Sequence, residues 1–116
     1  MNERDEGLLK WIREETEFVL EQIEPLVLQD FINNKHVQHS VCMALINIGE
    51  SVKALSKDLK NEYQNIQWQD ITDLRNVAVH NYGGLRMEWI WKNATKDVPE
   101  LLEQVRGILH AEGVEE

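Results

Sequence analysis

Apolar residues recur along this chain at intervals of three and four positions, which is the spacing of one face of an α-helix. Period-two alternation of apolar and polar residues, typical of half-buried strands, is scarce. The pattern predicts an all-α fold, namely an antiparallel bundle of four long helices plus a short one, in which short connections make sequential helices neighbours.

The first half of the chain predicts two long helices with the short one between them. The first helix covers about residues 2–24, and Pro25 ends it because the proline ring clashes with the preceding turn. The short segment is 28–33. The third helix, about 35–60, has the most regular apolar seam, which consists of Val41, Leu45, Ile48, Val52, Leu55 and Leu59.

Gly49 lies near the middle of this third helix. A glycine inside a helix costs about 1 kcal/mol relative to alanine, so its presence calls for a reason. We infer that a neighbouring helix approaches closely here, where Ala44 and Ala54 are also small.

The second half predicts two more long helices. A polar loop at 61–65 precedes the fourth helix, and Gly83 or Gly84 supplies the left-handed residue that stops it. The fourth helix has its apolar positions at Ile66, Ile71, Leu74, Val77 and Ala78.

The last helix begins near Arg86, and Pro99 is expected to kink or divide it. The acidic tail, 111–116, is expected to fray.

Length and composition are those of a small globular protein. The 116 residues suffice for a single domain, 1–116, with 42% hydrophobic and 28% charged residues. The lone Cys42 excludes an intrachain disulfide, and the first residues are charged where a signal peptide would be apolar. We therefore expect a cytoplasmic protein, and no apolar stretch approaches the roughly 18–20 residues of a membrane span.

The net charge of −9 narrows the ways in which the chain could bind RNA. Nucleic-acid binders gain most of their non-specific affinity by neutralising phosphates with Lys and Arg. The surface as a whole should therefore repel RNA. Binding would have to come from a local basic cluster, from a second copy of that cluster in a symmetric assembly, or from a basic partner.

The residues best suited to chemistry are gathered at the end of the fourth helix. Arg75 can hold a phosphate through paired hydrogen bonds, and His80 can take or give a proton near neutral pH. Asn76 could donate a further hydrogen bond to phosphate or orient the imidazole, and Tyr82 could do likewise or accept a modification. The set suits cleavage of an RNA strand with no metal and no other cofactor.

Arg75 and His80 are five residues apart, so on a regular helix their side chains point about 140° apart. They do not converge within one chain unless the helix distorts near its end. A second copy of the helix, brought in by a two-fold axis, is another way to build one compact site.

Residues 75–82 resemble the Arg-x4-His-x-Tyr signature of HEPN-domain proteins of the HepT-like group. Residues 44–50, which end in Ile-Gly-Glu, resemble the corresponding segment of that group's central helix. Trp68 and Trp91 also fall where such proteins carry comparable residues, and the likeness covers about residues 1–108.

The resemblance implies a HEPN-type bundle, a homodimer with the motif at a shared cleft, and a metal-independent endoribonuclease toxin that cleaves tRNA or mRNA. Arg75 and His80 would be the catalytic pair, supported by Asn76 and Glu50. The resemblance also implies an antitoxin partner, a minimal nucleotidyltransferase that transfers AMP to Tyr82. The alternative function, which the acidity favours, is a non-catalytic HEPN module that docks a nucleotidyltransferase or a nucleotide.

Structural roles are the alternatives for the same residues. Arg75 could form a salt bridge with Asp70 or Glu50, and Glu50 could equally be an exposed helix charge. His80 could be favoured by the helix dipole, which suits a cationic group at a C-terminus. Tyr82 could pack its ring at the end of the bundle.

Two further groups of residues could in principle have a function: a His and Cys series near the start of the third helix, and the large aromatic residues. His36, His39 and Cys42 stand at steps of three, but no fourth zinc ligand is close, so we expect packing, capping and solvent contact rather than a metal site. Trp11 and Phe18 are expected to widen the apolar stripe of the first helix. The remaining tryptophans are expected in the core or a dimer interface, with stacking on RNA bases as the less favoured alternative; these are Trp68, Trp89 and Trp91.

Overall fold

A computed structural model describes residues 1–81 and 86–114, apart from the side chain of Asn81. Every regular element within these residues is a helix, which confirms the all-α prediction. The elements are α1 (Glu3–Ile23), α2 (Leu28–Ile32), α3 (Lys35–Ala54), α4 (Lys57–Glu62), α5 (Trp68–Asn81), α6 (Met87–Lys92), a π-helical segment (Asn93–Asp97) and α7 (Val98–Ala111).

The long helices form a bundle in which α1 packs against both α3 and α7, and α5 packs along α3. Polar contacts show that neighbours run in opposite directions. Asp5, at the start of α1, accepts hydrogen bonds from the backbone N–H (2.9 Å) and hydroxyl (2.6 Å) of Ser56, beyond the end of α3. The amino group of Met1 lies 3.5 Å from the carboxylate of Glu112, beyond the end of α7.

The prediction of one helix over about residues 35–60 is wrong at its C-terminal end. There α3 ends at Ala54, and a separate helix, α4, follows. Leu55 has extended backbone angles (φ −60°, ψ 147°), and Ser56 caps α4 by accepting a hydrogen bond from the backbone N–H of Leu59 at 3.2 Å. Leu55 and Leu59 both remain buried. The apolar seam therefore continues through the break, which is why periodicity alone does not reveal it.

The predicted division of the last helix at Pro99 is confirmed. The π-helical segment lies directly before α7, and the backbone N–H of Val98 bonds to the carbonyl of Asn93, five residues earlier. Proline has no N–H to donate to the preceding turn, so the regular hydrogen-bond ladder cannot pass through this position.

The width of the apolar stripe on α1 and the end of the chain differ from what the sequence predicts. Trp11 and Phe18 are 44% and 36% exposed on the outer side of α1, so the stripe that α1 buries is narrower than expected. Of the tail, the structure describes the residues to Val114, whose N–H bonds to the carbonyl of Leu109 at 2.8 Å after a turn through Gly113 (φ +76°). The stop expected at Gly83 or Gly84 lies outside the described residues.

Candidate active site

The candidate site begins where α5 packs closely on α3 at Gly49. A Cβ atom placed on Gly49 would lie 2.5 Å from the Cβ of Arg75, 2.9 Å from its backbone nitrogen and 3.0 Å from the carbonyl oxygen of Thr72. Contacts this short with backbone atoms leave no room for any side chain. Close helix approach is therefore the reason for this glycine, as inferred from the sequence, and it sets Arg75 directly against α3.

Arg75 is paired with Glu50, the residue that follows Gly49. The Nε of Arg75 lies 2.8 Å from Oε1 of Glu50, and its Nη1 donates to Oδ1 of Asn76 at 3.2 Å. The side chains of Arg75 and Glu50 are 44% and 54% exposed. Of the two salt-bridge partners considered for Arg75, the structure selects Glu50, and the guanidinium is oriented while staying open to solvent.

Arg75 lies at the edge of a polar depression between α3, α4 and α5. The residues that line it are Glu50, Lys53, Lys60, Gln69, Thr72, Asp73, Arg75 and Asn76. Burial lowers the pKa of the Lys60 ammonium, an effect that the nearby Asp5 opposes. With three cations against two carboxylates, this depression is positive on balance within a chain of net charge −9.

His80 is exposed in the last turn of α5, and the structure does not bring it onto the Arg75 side of the helix. Because α5 is α-helical from Trp68 to Asn81, the offset of about 140° between Arg75 and His80 holds. Asn76 lies between the two positions. It accepts a hydrogen bond from Arg75, and it is four residues before His80, on the same helix face as His80 and one turn earlier. Tyr82 lies outside the described residues.

Two apolar side chains on the helices that form the candidate site, α3 and α5, are exposed. Met43 of α3 is 50% exposed, and Val79 of α5 is 44% exposed between Arg75 and His80. Sequence reasoning did not select either residue, nor Lys53 and Lys60, although an apolar residue at position 79 falls outside the buried stripe of its helix. The exposed apolar side chain of Val79, within the motif, bears on how two copies of the chain could meet.

The other candidate residues have structural roles or separate environments. His36 and His39 are exposed, whereas Cys42 is buried, and burial raises the pKa of its thiol to about 11. Among residues 1–81 and 86–114, no group of three or more His, Cys, Asp or Glu side chains is arranged to hold a metal ion. No helix in the same part of the chain is long and apolar enough to cross a membrane.

The tryptophans divide into two kinds. Trp68 and Trp91 are half-buried and packed against the core. The indole N–H of Trp68 donates to the carbonyl of Tyr63 at 3.1 Å. The ring centroids of Trp91 and Phe31 are 5.4 Å apart. Core packing is confirmed for these two. Trp89 is 49% exposed, so it does not lie in the core of the chain, and the dimer interface also expected for it stays a prediction.

Comparison with known proteins identifies the family of the chain. The family model described as "Ribonuclease HepT-like" matches residues 12–108, and the chain belongs to this family, which confirms the resemblance drawn from its motifs. No solved structure matches the chain.

Three relatives illustrate the likeness. The protein named "Putative RNase TTE0752" from Caldanaerobacter subterraneus subsp. tengcongensis is 32% identical over 104 residues, covering 90% of this chain and 93% of the relative. "Putative RNase MJ1380" from Methanocaldococcus jannaschii is 32% identical, with coverages of 90% and 97%. "Probable ribonuclease HepT" from Thermococcus cleftensis is 30% identical, with coverages of 87% and 92%.

Proposed function

We propose that this protein is a metal-independent endoribonuclease that cleaves tRNA or mRNA, with Arg75 and His80 as its catalytic residues. The observation that carries the proposal is the family match over residues 12–108, which includes both side chains. The oriented, solvent-accessible guanidinium and the exposed imidazole on the same helix support it.

The chemistry divides between the two residues. The ribose 2′-oxygen attacks the adjacent phosphorus, and the bond from phosphorus to the 5′-oxygen of the next nucleotide breaks. Arg75 stabilises the charge that grows on the phosphoryl oxygens. The imidazole of His80 accepts the 2′-hydroxyl proton, and the imidazolium so formed donates a proton to the leaving 5′-oxygen, so that a 2′,3′-cyclic phosphate remains. Glu50 and Asn76 are positioning residues, because both bond to Arg75.

A homodimer provides the second half of the site. Within one chain, Arg75 and His80 point about 140° apart, so one guanidinium and one imidazole on a regular helix do not face a common phosphate. Val79, which lies between them in the sequence, and Met43 of α3 are both exposed and offer apolar surface for a second copy. In the proposed dimer, Arg75 of one protomer and His80 of its partner face one cleft.

The biological role that we propose is that of a toxin. Its antitoxin is a minimal nucleotidyltransferase that transfers AMP to Tyr82 and so places an anionic group two residues after His80. The alternative function is a non-catalytic module that docks this nucleotidyltransferase, and the net charge of −9 favours it. Expression of the chain alone separates the two functions, because a ribonuclease arrests growth and an adaptor does not.

The test of the catalytic site compares His80→Ala with His110→Ala in cleavage of tRNA and mRNA. His110 is a matched control, since it is also exposed and also lies in the last turn of a helix, α7. We expect His80→Ala to lose about 10²–10⁴-fold in cleavage rate and His110→Ala to match the parent. Equal cleavage by His80→Ala would contradict the assignment.

A mixing experiment tests the composite cleft. Arg75→Ala and His80→Ala protomers, each inactive alone, are refolded together to form mixed dimers. If each site takes its arginine and histidine from different protomers, a mixed dimer contains one intact site and activity returns. If each site lies within one protomer, the mixture stays inactive.

Mass spectrometry after co-expression with the nucleotidyltransferase shows whether Tyr82 gains the mass of AMP.

A further inference from the structure

Trp89, in the first turns of α6, exposes about half of its surface without an evident packing role. It is 49% exposed, and the guanidinium carbon of Arg86 lies 4.2 Å from the centroid of its ring. A cation held against an indole is a favourable contact that also keeps the ring in one orientation. The exposed part of a fixed aromatic ring is what a stacking ligand requires.

Two lysines share a depression with this tryptophan. The residues that line it are Val77, Trp89, Lys92, Asn93, Lys96 and Asp97. Lys92 follows Trp89 by three residues, which places the two side chains on one side of α6. The π-helical turn, with its hydrogen bonds five residues apart, then keeps Lys96 near the same side as Lys92.

The charge around Trp89 is unusual for this chain. Arg86, Lys92 and Lys96 are all exposed, and none of them takes part in a salt bridge among the described residues. Asp97 is the one carboxylate among the residues that line the depression. Three exposed cations beside a half-exposed indole thus form a local basic cluster within a chain of net charge −9.

The position of this cluster relates it to the candidate active site. Val77 of α5 lines the depression, and His80 lies three residues further along the same helix. The depression that contains Arg75 borders α5 on its other side, toward α3 and α4. At the end of α5 that carries His80, cations therefore lie on both sides of the helix, with His80 between them.

We propose that Trp89 stacks an unpaired RNA base and that Lys92 and Lys96 bind the neighbouring phosphates, so that a single strand crosses the face of α5 that carries His80. Stacking on an aromatic ring is tolerant of sequence and requires an unpaired base, whereas lysines contribute affinity through the backbone. This inference rests on the proposed ribonuclease function and specifies its substrate as single-stranded RNA.

The test measures binding separately from cleavage. In a His80→Ala background, fluorescence anisotropy gives the Kd for a labelled, unstructured RNA oligonucleotide. Trp89→Ala should weaken binding about tenfold, and Trp89→Phe should retain most of the affinity. Trp11→Ala is the matched control, because Trp11 is 44% exposed on α1, and it should leave the Kd unchanged.

The lysines are tested by salt dependence. Lys92→Gln combined with Lys96→Gln should reduce the slope of log K against log salt by about 1.4, which is about 0.7 for each phosphate of a single strand that is no longer neutralised. Lys10→Gln, on α1, should leave the slope unchanged. A duplex of the same sequence should bind more weakly than the single strand and should not respond to Trp89→Ala.

The outcomes separate this inference from the proposed function. If the wild-type protein cleaves RNA but Trp89→Ala changes neither binding nor kcat/KM, the inference fails and the function stands. If RNA binding depends on Trp89 but no RNA is cleaved, the function fails and the stacking site stands. A Trp89→Ala protein that loses its dimer mass in light scattering would show that the indole belongs to an interface between copies, which overturns the inference.

Discussion

Before it reaches His80, α5 has two sides that differ sharply in charge although they belong to one helix. Toward α3 and α4 the helix borders the depression of Arg75, Lys53 and Lys60. Toward α7 it borders a groove without a lining cation, whose residues are Gln67, Asp70, Ile71, Asp73, Leu74, Val77, Asn93, Asp97, Glu100, Leu101 and Gln104. Net charge therefore says little about local charge, and a well-formed groove is not by itself a site for a polyanion.

Two of the four carboxylates that line the groove have a structural reason to be there. Asp70 lies in the first turn of α5 and Glu100 in the first turn of α7. Acidic side chains at these positions complement the positive end of the helix dipole. The α7 side of α5 thus serves the stability of two helices, whereas its α3 side leaves a guanidinium open to solvent.

The largest effect is expected from removing the cation on the α3 side. Arg75→Ala should lower kcat/KM for RNA about 10²–10³-fold, because a preorganised charge is removed from the phosphoryl group. Arg106→Ala is the matched control: Arg106 is 48% exposed and bonded to Glu17 at 2.9 Å, much as Arg75 is bonded to Glu50. Steady-state cleavage assays measure both variants, and an equal loss in both would show that the arginine acts through stability alone.

The close approach of helices that positions Arg75 should be the next most sensitive feature. Gly49→Ala should destabilise the protein by about 1–3 kcal/mol, because the new methyl group meets the backbone of α5 and this clash outweighs the gain in helix propensity. Urea unfolding measures this free energy.

Two other glycines calibrate that experiment. Gly7 in α1 and Gly107 in α7 have no neighbouring atoms within 4 Å of an added Cβ. Alanine at either position should stabilise the protein by up to about 1 kcal/mol. A stabilising Gly49→Ala would contradict the close approach of α3 and α5.

Neutralising two carboxylates on the α7 side of α5 should have two modest effects: RNA affinity should rise, and the stability of the protein should fall. Asp70→Asn combined with Glu100→Gln should raise RNA affinity a few-fold at low salt, since two repelling charges are removed. The same change should lower the free energy of unfolding by about 0.3–1 kcal/mol at each helix, because each helix loses the anionic side chain of its first turn. Anisotropy and urea unfolding measure the two quantities, and weaker RNA binding would show that the groove itself contacts the strand.

The smallest effect is expected at the hydrogen bond between Tyr63, which ends α4, and Glu112, which follows α7. The hydroxyl of Tyr63 donates to Glu112 at 2.7 Å, which raises the pKa of Tyr63 to about 12 and lowers the pKa of Glu112. The tyrosine contribution is present below its ordinary pKa of about 10 and is lost as the pH rises toward 12. The Glu112 contribution is present above its ordinary pKa and is lost as the pH falls through the lowered value.

Tyr63→Phe should therefore lower Tm most between about pH 5 and pH 10, with the difference from wild type shrinking beyond either limit. RNA cleavage should be unchanged throughout. A constant difference in Tm across and beyond this range of pH would show that the hydrogen bond does not contribute.

Much of the architecture could be predicted from the sequence. The apolar periodicity predicts the helical class, Pro25 and Pro99 mark interruptions, and Gly49 signals a close helix contact. The break at Leu55 could not be predicted, because the leucines on both sides continue one apolar seam. Its cause is a contact of Ser56 with Asp5, 51 residues earlier in the chain.

For the candidate site, too, some features can be predicted from the sequence and others depend on how the helices pack. The motif identifies Arg75 and His80, and helical geometry alone sets their angular separation. Which carboxylate pairs with Arg75, and which lysines join it, depends on the rotation of α5 against α3 and on the bend into α4.

Local hydrogen bonding and side-chain spacing are properties of neighbouring residues, so helices, their faces and their proline interruptions can be read from the chain itself. Contacts between distant residues depend on how helices cross and how closely they approach. For that reason the pairing of Glu50 with Arg75, the exposure of Trp89 and the opposite charges on the two sides of α5 emerge only when the helices are packed together.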